Sequence, residues 1–169
     1  MLKNRSLIVT CFVFISLCIL PFYAPATEKV TFVGETAPIF SLKDLNNKEI
    51  NLKNFLGKKV ILISFWTVYC SSCVKEFSEL KNLHREFSKK GLEILSIDIR
   101  DSKKRVAKLI KGKEIEHSVL LDSKGEVARL YGVKGVPFNV VIDKKGVIRY
   151  QWYELPPDLK KIVESLILM

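Results

Sequence analysis

Hydrophobic positions along this chain fall into short β-rich runs that alternate with stretches in which apolar residues recur every three or four places. Val60 to Trp66 is nearly all apolar, as expected of a strand covered on both faces and placed centrally in a sheet. From Ser72 to Lys90 the residues Cys73, Phe77, Leu80, Leu83 and Phe87 keep helical spacing, and Gly91 closes the run as a helix C-cap. Leu92 to Ile99 is a second strand, followed by a basic helix through Val106, Leu109 and Ile110. Strand, helix and strand in that order predict a parallel crossover.

The flanks follow the same logic. Ile39 to Leu42 and Glu49 to Leu52 border the turn-rich Asp44-Leu45-Asn46-Asn47, which reads as an N-terminal hairpin laid against the domain. Ser118 to Leu121 is a short strand, Asp122 to Gly125 a turn and Glu126 to Tyr131 a short helix. Phe138 to Ile142 and Val147 to Tyr150 form an antiparallel hairpin around Asp143-Lys144-Lys145-Gly146. Pro156-Pro157 precedes a last helix with Leu159, Ile162, Val163, Leu166 and Ile167 on its apolar face. The expected architecture is α/β, a three-layer sandwich on a mixed central sheet with an N-terminal hairpin.

The first residues do not fit that domain. Lys3 and Arg5 stand without an acid, Leu7 to Leu20 is almost continuously apolar, and Ala24-Pro25-Ala26 has the small residues a signal peptidase reads. Residues 1–26 are therefore expected to be an export signal or a retained membrane anchor, and residues 27–169 the single globular domain. Cys18 does not mark a lipoprotein, because Leu17 stands where a small residue should precede a lipidated cysteine.

Charge adds little to this picture. The formal net charge is +10, of which Lys3 and Arg5 supply two, and the other lysines occur as scattered pairs such as Lys58-Lys59 and Lys103-Lys104. They lack the aromatic interleaving of a nucleic-acid platform, so no nucleic-acid partner is expected.

The chemistry concentrates at Cys70-Ser71-Ser72-Cys73, between the central strand and the first long helix. A thiol at a helix N-terminus meets unpaired N–H groups and the positive end of the macrodipole, which favour its thiolate. Cys70 is the candidate nucleophile, and Cys73, one turn further in, is the candidate resolving thiol. A zinc site needs two more ligands, but Cys11 and Cys18 lie in the N-terminal apolar run and His84 and His117 are isolated, so no metal is expected. A purely structural disulfide would close only a tiny loop and add little stability.

Other residues near this unit carry two readings each. Trp66 and Tyr69 bracket the approach to the cysteines, as plain packing or as a surface for a substrate polypeptide. Glu76 follows Cys73 by three residues on nearly the same helix face, as a solvated side chain or as acceptor of the resolving thiol's proton. Val136-Pro137 precedes a strand, as a simple strand-start proline or as a cis bond that offers the Val136 backbone to an incoming chain.

Phe65 to Glu76, with Tyr131-Gly132-Val133-Lys134-Gly135-Val136-Pro137, resembles the thioredoxin superfamily. Gly34 to Leu42, the hairpin after it and Gly57-Lys58-Lys59 narrow the likeness to the exported TlpA, ResA and CcmG-like branch, which overlaps the AhpC/TSA peroxiredoxins. The resemblance spans about residues 34–168 and implies a nucleophilic Cys70, a resolving Cys73, a cis Pro137 and a Glu76 that assists proton transfer. It also implies an extracytoplasmic protein disulfide reductase without a cofactor and acting as a monomer. Its substrates would be protein thiols and disulfides, apocytochrome c among them, and a membrane electron donor would keep it reduced. Tyr69 stands where the branch usually has tryptophan, and Ser71-Ser72 replaces a pair that commonly contains proline, so the reduction potential is not carried over. A thiol peroxidase and a copper-delivery module are the alternatives. The first lacks the local threonine and arginine, the second the wider cysteine spacing with a histidine partner.

Overall fold

The computed structural model describes residues 32–169. Among them seven strands, β1 (Ser41–Asp44), β2 (Glu49–Asn51), β3 (Val60–Trp66), β4 (Leu92–Ile99), β5 (Ser118–Asp122), β6 (Phe138–Ile142) and β7 (Ile148–Trp152), form one sheet in the order β2-β1-β5-β4-β3-β6-β7. Helices α1 (Ser71–Phe87), α2 (Lys103–Ile110), α3 (Glu126–Leu130) and α4 (Leu159–Leu168) cover it. The expected signal or anchor, residues 1–26, lies outside the described residues. No helix among those described is long and apolar enough to cross a membrane.

β3 lies inside the sheet between β4 and β6, and every one of its side chains is buried. It runs parallel to β4, with Val60 opposite Leu92 and Trp66 opposite Asp98, and antiparallel to β6, with Phe65 opposite Phe138. Alternation then divides the core. Ile61, Ile63 and Phe65 pack under α3 with Leu52, Val127 and Tyr131. Val60, Leu62 and Trp66 pack under α1, α2 and α4 with Phe77, Leu80, Val106 and Val163. Both parallel crossovers lie on this second face, as right-handed connections between successive parallel strands require.

Two boundaries differ from expectation. Asp44 accepts the amides of Asn46 at 2.7 Å and Lys48 at 2.8 Å, so the first turn closes later and β1 runs on to Asp44. The hairpin is not laid on the domain but extends its sheet, because Lys43 and Asp44 pair antiparallel with Leu121 and Leu120 of β5. The last strand begins at Ile148, while Val147 forms an isolated bridge with Thr36.

The turn after β5 shows why a buried acid is retained. Asp122 accepts the Glu126 amide at 2.9 Å and the Ala128 amide at 2.8 Å, satisfying donors at the start of α3 that no helical carbonyl reaches. Gly125 sits at φ +67°, and a Cβ there would come within 2.6 Å of Arg100 Nε, so no other residue fits without a shift. Asp122→Ala is expected to cost about 1–3 kcal/mol, measured by urea denaturation, because both amides are stranded together.

Candidate active site

Cys70 is the N-cap of α1, and its sulfur accepts the Cys73 amide at 3.1 Å. The two cysteines are joined as a disulfide across 5.3 Å between Cα atoms. Their surroundings are unequal: Cys70 is partly exposed, whereas Cys73 is 1% exposed and packs with Trp66 and Phe77. The hydroxyl of Ser72 lies 3.3 Å from the Cys70 sulfur, a contact that the Ser71-Ser72 pair supplies where proline has no side-chain donor.

A tight turn presents Cys70. Its amide donates to the Thr67 carbonyl at 3.1 Å, closing Thr67-Val68-Tyr69-Cys70 over the end of β3. Tyr69, at the turn's tip, is 76% exposed, and the Arg105 guanidinium of α2 lies over its ring at 6.0 Å. Trp66 is fully buried and packs edge-on against Phe77 at 4.9 Å. That corrects the expectation that Trp66 meets substrate: its register on β3 points it beneath α1, and only Tyr69 faces outward.

The Val136–Pro137 peptide bond is cis, with Pro137 buried and Val136 partly exposed. Because Phe138 pairs with Phe65, this bond lies at the level where β3 ends and the cysteine turn begins. Val136 packs against the same apolar cluster as Cys70 and Cys73.

Glu76 is half-buried one turn beyond Cys73. Its carboxylate accepts the Leu155 amide at 3.0 Å and Asn139 Nδ2 at 3.2 Å, and burial, the largest influence, raises its pKa above the ordinary 4.5. It borders an open cleft of about 350 Å³ lined also by Ser72, Lys75, Glu79 and Glu154.

On the other side of the turn stand two acids that sequence reasoning passed over. Asp98, fully buried at the end of β4 beside Trp66, accepts the Asp101 amide at 3.1 Å through Oδ1, while Oδ2 has no partner among the described residues. Burial first, then the neighbouring Asp101 carboxylate, pushes its carboxyl up to about 8. Asp101 in turn accepts the Val68 amide at 2.9 Å. The signal was available, since an acid inside the mostly apolar run Ile94 to Ile99 is rare without a partner or a purpose.

His84 and His117 lie away from the cysteines. Ser96 Oγ meets His117 Nε2 at 2.8 Å, and burial, the main cause, lowers the His117 pKa to about 4, which keeps the ring neutral. Among the described residues no group of three or more His, Cys, Asp or Glu side chains is placed to hold a metal ion.

The model of the AhpC/TSA family matches residues 33–151, from before the hairpin to β7. The chain belongs to the AhpC/TSA family. Within it the chain is similar to "Thiol-disulfide oxidoreductase ResA" of Bacillus thuringiensis subsp. konkukian, 34% identical over 97 residues covering 57% of this chain and 55% of that one. The ResA of Bacillus subtilis (strain 168) is 36% identical over 86 residues, 51% of this chain and 48% of its own. The chain thus spans about half the length of the curated relatives it matches. Among solved structures, the thioredoxin domain of a thiol-disulfide oxidoreductase from Bacteroides vulgatus superposes with a TM-score of 0.73 at 26% identity, over 81% of this chain and 99% of that one. The sheet, the two parallel crossovers and these likenesses place this AhpC/TSA family member in the thioredoxin superfamily, on its ResA-like branch.

Proposed function

We propose that this protein is a thiol–disulfide oxidoreductase exported from the cytoplasm, working as a protein disulfide reductase. The observation that carries the reading is the inequality of the two sulfurs: one partly exposed at a helix start and held by an amide, the other buried beside it. In the reduced protein the Cys70 thiolate attacks a substrate disulfide, that S–S bond breaks, and one substrate sulfur leaves as a thiolate. Cys73 then attacks the Cys70 sulfur of the mixed disulfide and expels the second substrate thiolate. Two electrons pass to the substrate, and the product is the Cys70–Cys73 disulfide seen here.

Tyr69 and Val136 supply the surface for a visiting polypeptide in this reading, with the buried cis Pro137 setting the course of the Val136 backbone, and a membrane protein returns the electrons. The charged and apolar order of residues 1–26 supports export, and the resemblance of Phe65 to Glu76 to the exported TlpA, ResA and CcmG-like branch makes apocytochrome c the candidate client. The testing experiment incubates the reduced protein with a mixed disulfide peptide and, separately, with hydrogen peroxide. Rapid peptide reduction with slow peroxide consumption is the expected result, and the reverse order would make the protein a thiol peroxidase.

Glu76 stands one helical turn beyond Cys73 with a pKa raised by burial, and in this reading it takes the Cys73 proton before the resolving attack. Glu76→Gln is expected to lengthen the life of the mixed disulfide roughly 10-fold near neutral pH, with the effect shrinking above the ordinary thiol pKa of about 8.5, where Cys73 ionises unaided. Quenched-flow trapping with mass analysis reads this directly.

A further inference from the structure

The cysteine turn is held from behind by a segment the disulfide chemistry does not itself use. β4 ends in Asp98-Ile99-Arg100-Asp101, and Arg100 adopts φ +65°, a left-handed conformation that a side chain rarely takes. The kink folds Asp101 back on Asp98, so that the Asp101 amide reaches Asp98 Oδ1 while its carboxylate reaches the Val68 amide. Four residues further on, Arg105 lies over the Tyr69 ring. Both central residues of the turn Thr67–Cys70 are therefore fastened to one segment. That fastening runs through a carboxyl pair in which Asp98 is wholly enclosed.

Taking the thiol–disulfide exchange reading as given, we propose that Asp98 is a positioning residue: in its neutral form it lets Asp101 hold the Val68 amide and so fixes the turn that presents Cys70, and its ionisation loosens that hold.

The surroundings explain the sensitivity. The loop after β4 sets Asp101 against Asp98, and the end of β5 adds Asp122, so the charged groups acting on it are both acids. β3 brings the Trp66 indole, whose Nε1 has no partner among the described residues. α1 brings Cys73 and Phe77, and α2 brings Val106, over the same face. One step down that face Ser96 binds His117, which is neutral. A second negative charge next to Asp101 would therefore be opposed by both of these acids and favoured only by the Asp101 amide it already holds, and the carboxylate repulsion is relieved by movement of Asp101, the partner on a loop. The Asp98 carboxyl, pushed up to about 8 mainly by burial, places the change just above neutrality.

The test follows peptide disulfide reduction by the full reduced protein from pH 6 to pH 10, with rates divided by the Cys70 thiolate fraction measured by alkylation. In the wild type the corrected rate is expected to fall roughly 10-fold through the Asp98 titration, the scale of loss that small misplacement of a reacting group produces. Asp98→Asn, uncharged at every pH, should abolish that fall. A fall that persists unchanged in Asp98→Asn overturns the proposal. A readout independent of activity and of any variant is the carboxyl 13C shift of Asp98 recorded with the Val68 amide shift. The two are expected to titrate together, and a Val68 amide that ignores the Asp98 titration overturns the proposal even if Asp98→Asn fails to fold. Absence of any peptide reduction at any pH would instead sink the oxidoreductase reading, leaving the Val68 measurement to decide the hold of Asp101 on its own.

Discussion

Cys70→Ser is expected to bring disulfide reduction down to the level seen without protein, while Cys73→Ser keeps the first attack and stalls as a stable mixed disulfide. The argument is one of access and charge. Cys70 is the partly exposed sulfur, at the helix start where amides and the macrodipole favour a thiolate, and the Cys73 amide already points at it from 3.1 Å. Cys73 is sealed under Trp66 and Phe77, so it meets only a sulfur that Cys70 has brought to it. Incubating each reduced variant with a disulfide peptide and weighing the products separates the roles. The adduct should form on Cys73→Ser alone, and an adduct on Cys70→Ser instead would reverse the order of attack.

Trp66→Ala and Tyr69→Ala should behave as opposites although the residues stand three apart. Trp66 is enclosed at the junction of β3 and α1, so truncation opens a large cavity and is expected to cost about 3–5 kcal/mol by urea denaturation. Trp66→Phe should cost much less, because it refills most of that space and removes an indole N–H that has no partner among the described residues. Tyr69 is 76% exposed and gains only a stack with Arg105, worth about 0.5–1 kcal/mol, so its loss should barely move stability. The expected effect of Tyr69→Ala is instead a slower reaction with polypeptide disulfides than with a small disulfide of equal potential. Equal slowing on both would deny Tyr69 a part in holding the polypeptide.

How legible each part was depends on the range of the interactions that set it. The core strand Val60 to Trp66, the helix after it and the β6–β7 hairpin are written locally, in apolar runs, helical spacing and turn residues, and they stand nearly where the pattern puts them, although α1 stops at Phe87 and Gly91 caps a short 3-10 turn over Ser88–Lys90 instead. The cysteine pair is equally local, since the redox unit needs only four consecutive residues at a strand–helix junction. The attachment of the hairpin to β5 was not legible, because pairing between Lys43 and Leu121 leaves no mark in either segment alone. Sequence alone left Trp66 between packing and substrate contact: chain proximity to Cys70 suggested the surface, whereas strand alternation turns the side chain under α1, where it packs with Cys73 and Phe77 out of reach of a visitor. Asp98 and Asp101 escaped notice because their meaning lies in a fold-back at Arg100 and in the Val68 amide of a different strand end. The clue they did leave was one of misfit, an acid in a run that otherwise avoids water.

The segment before β1 enters alongside the β6–β7 turn: Gly34 donates to the Ile148 carbonyl at 2.8 Å and Ala37 to that of Gly146 at 2.8 Å. That turn is where β3 begins, and the sulfurs are where β3 ends. Seven residues of strand put roughly 20 Å between the two. The stretch of residues 34–37 therefore joins the domain at the pole remote from the sulfurs, and leaves the reactive end of β3 uncovered by it.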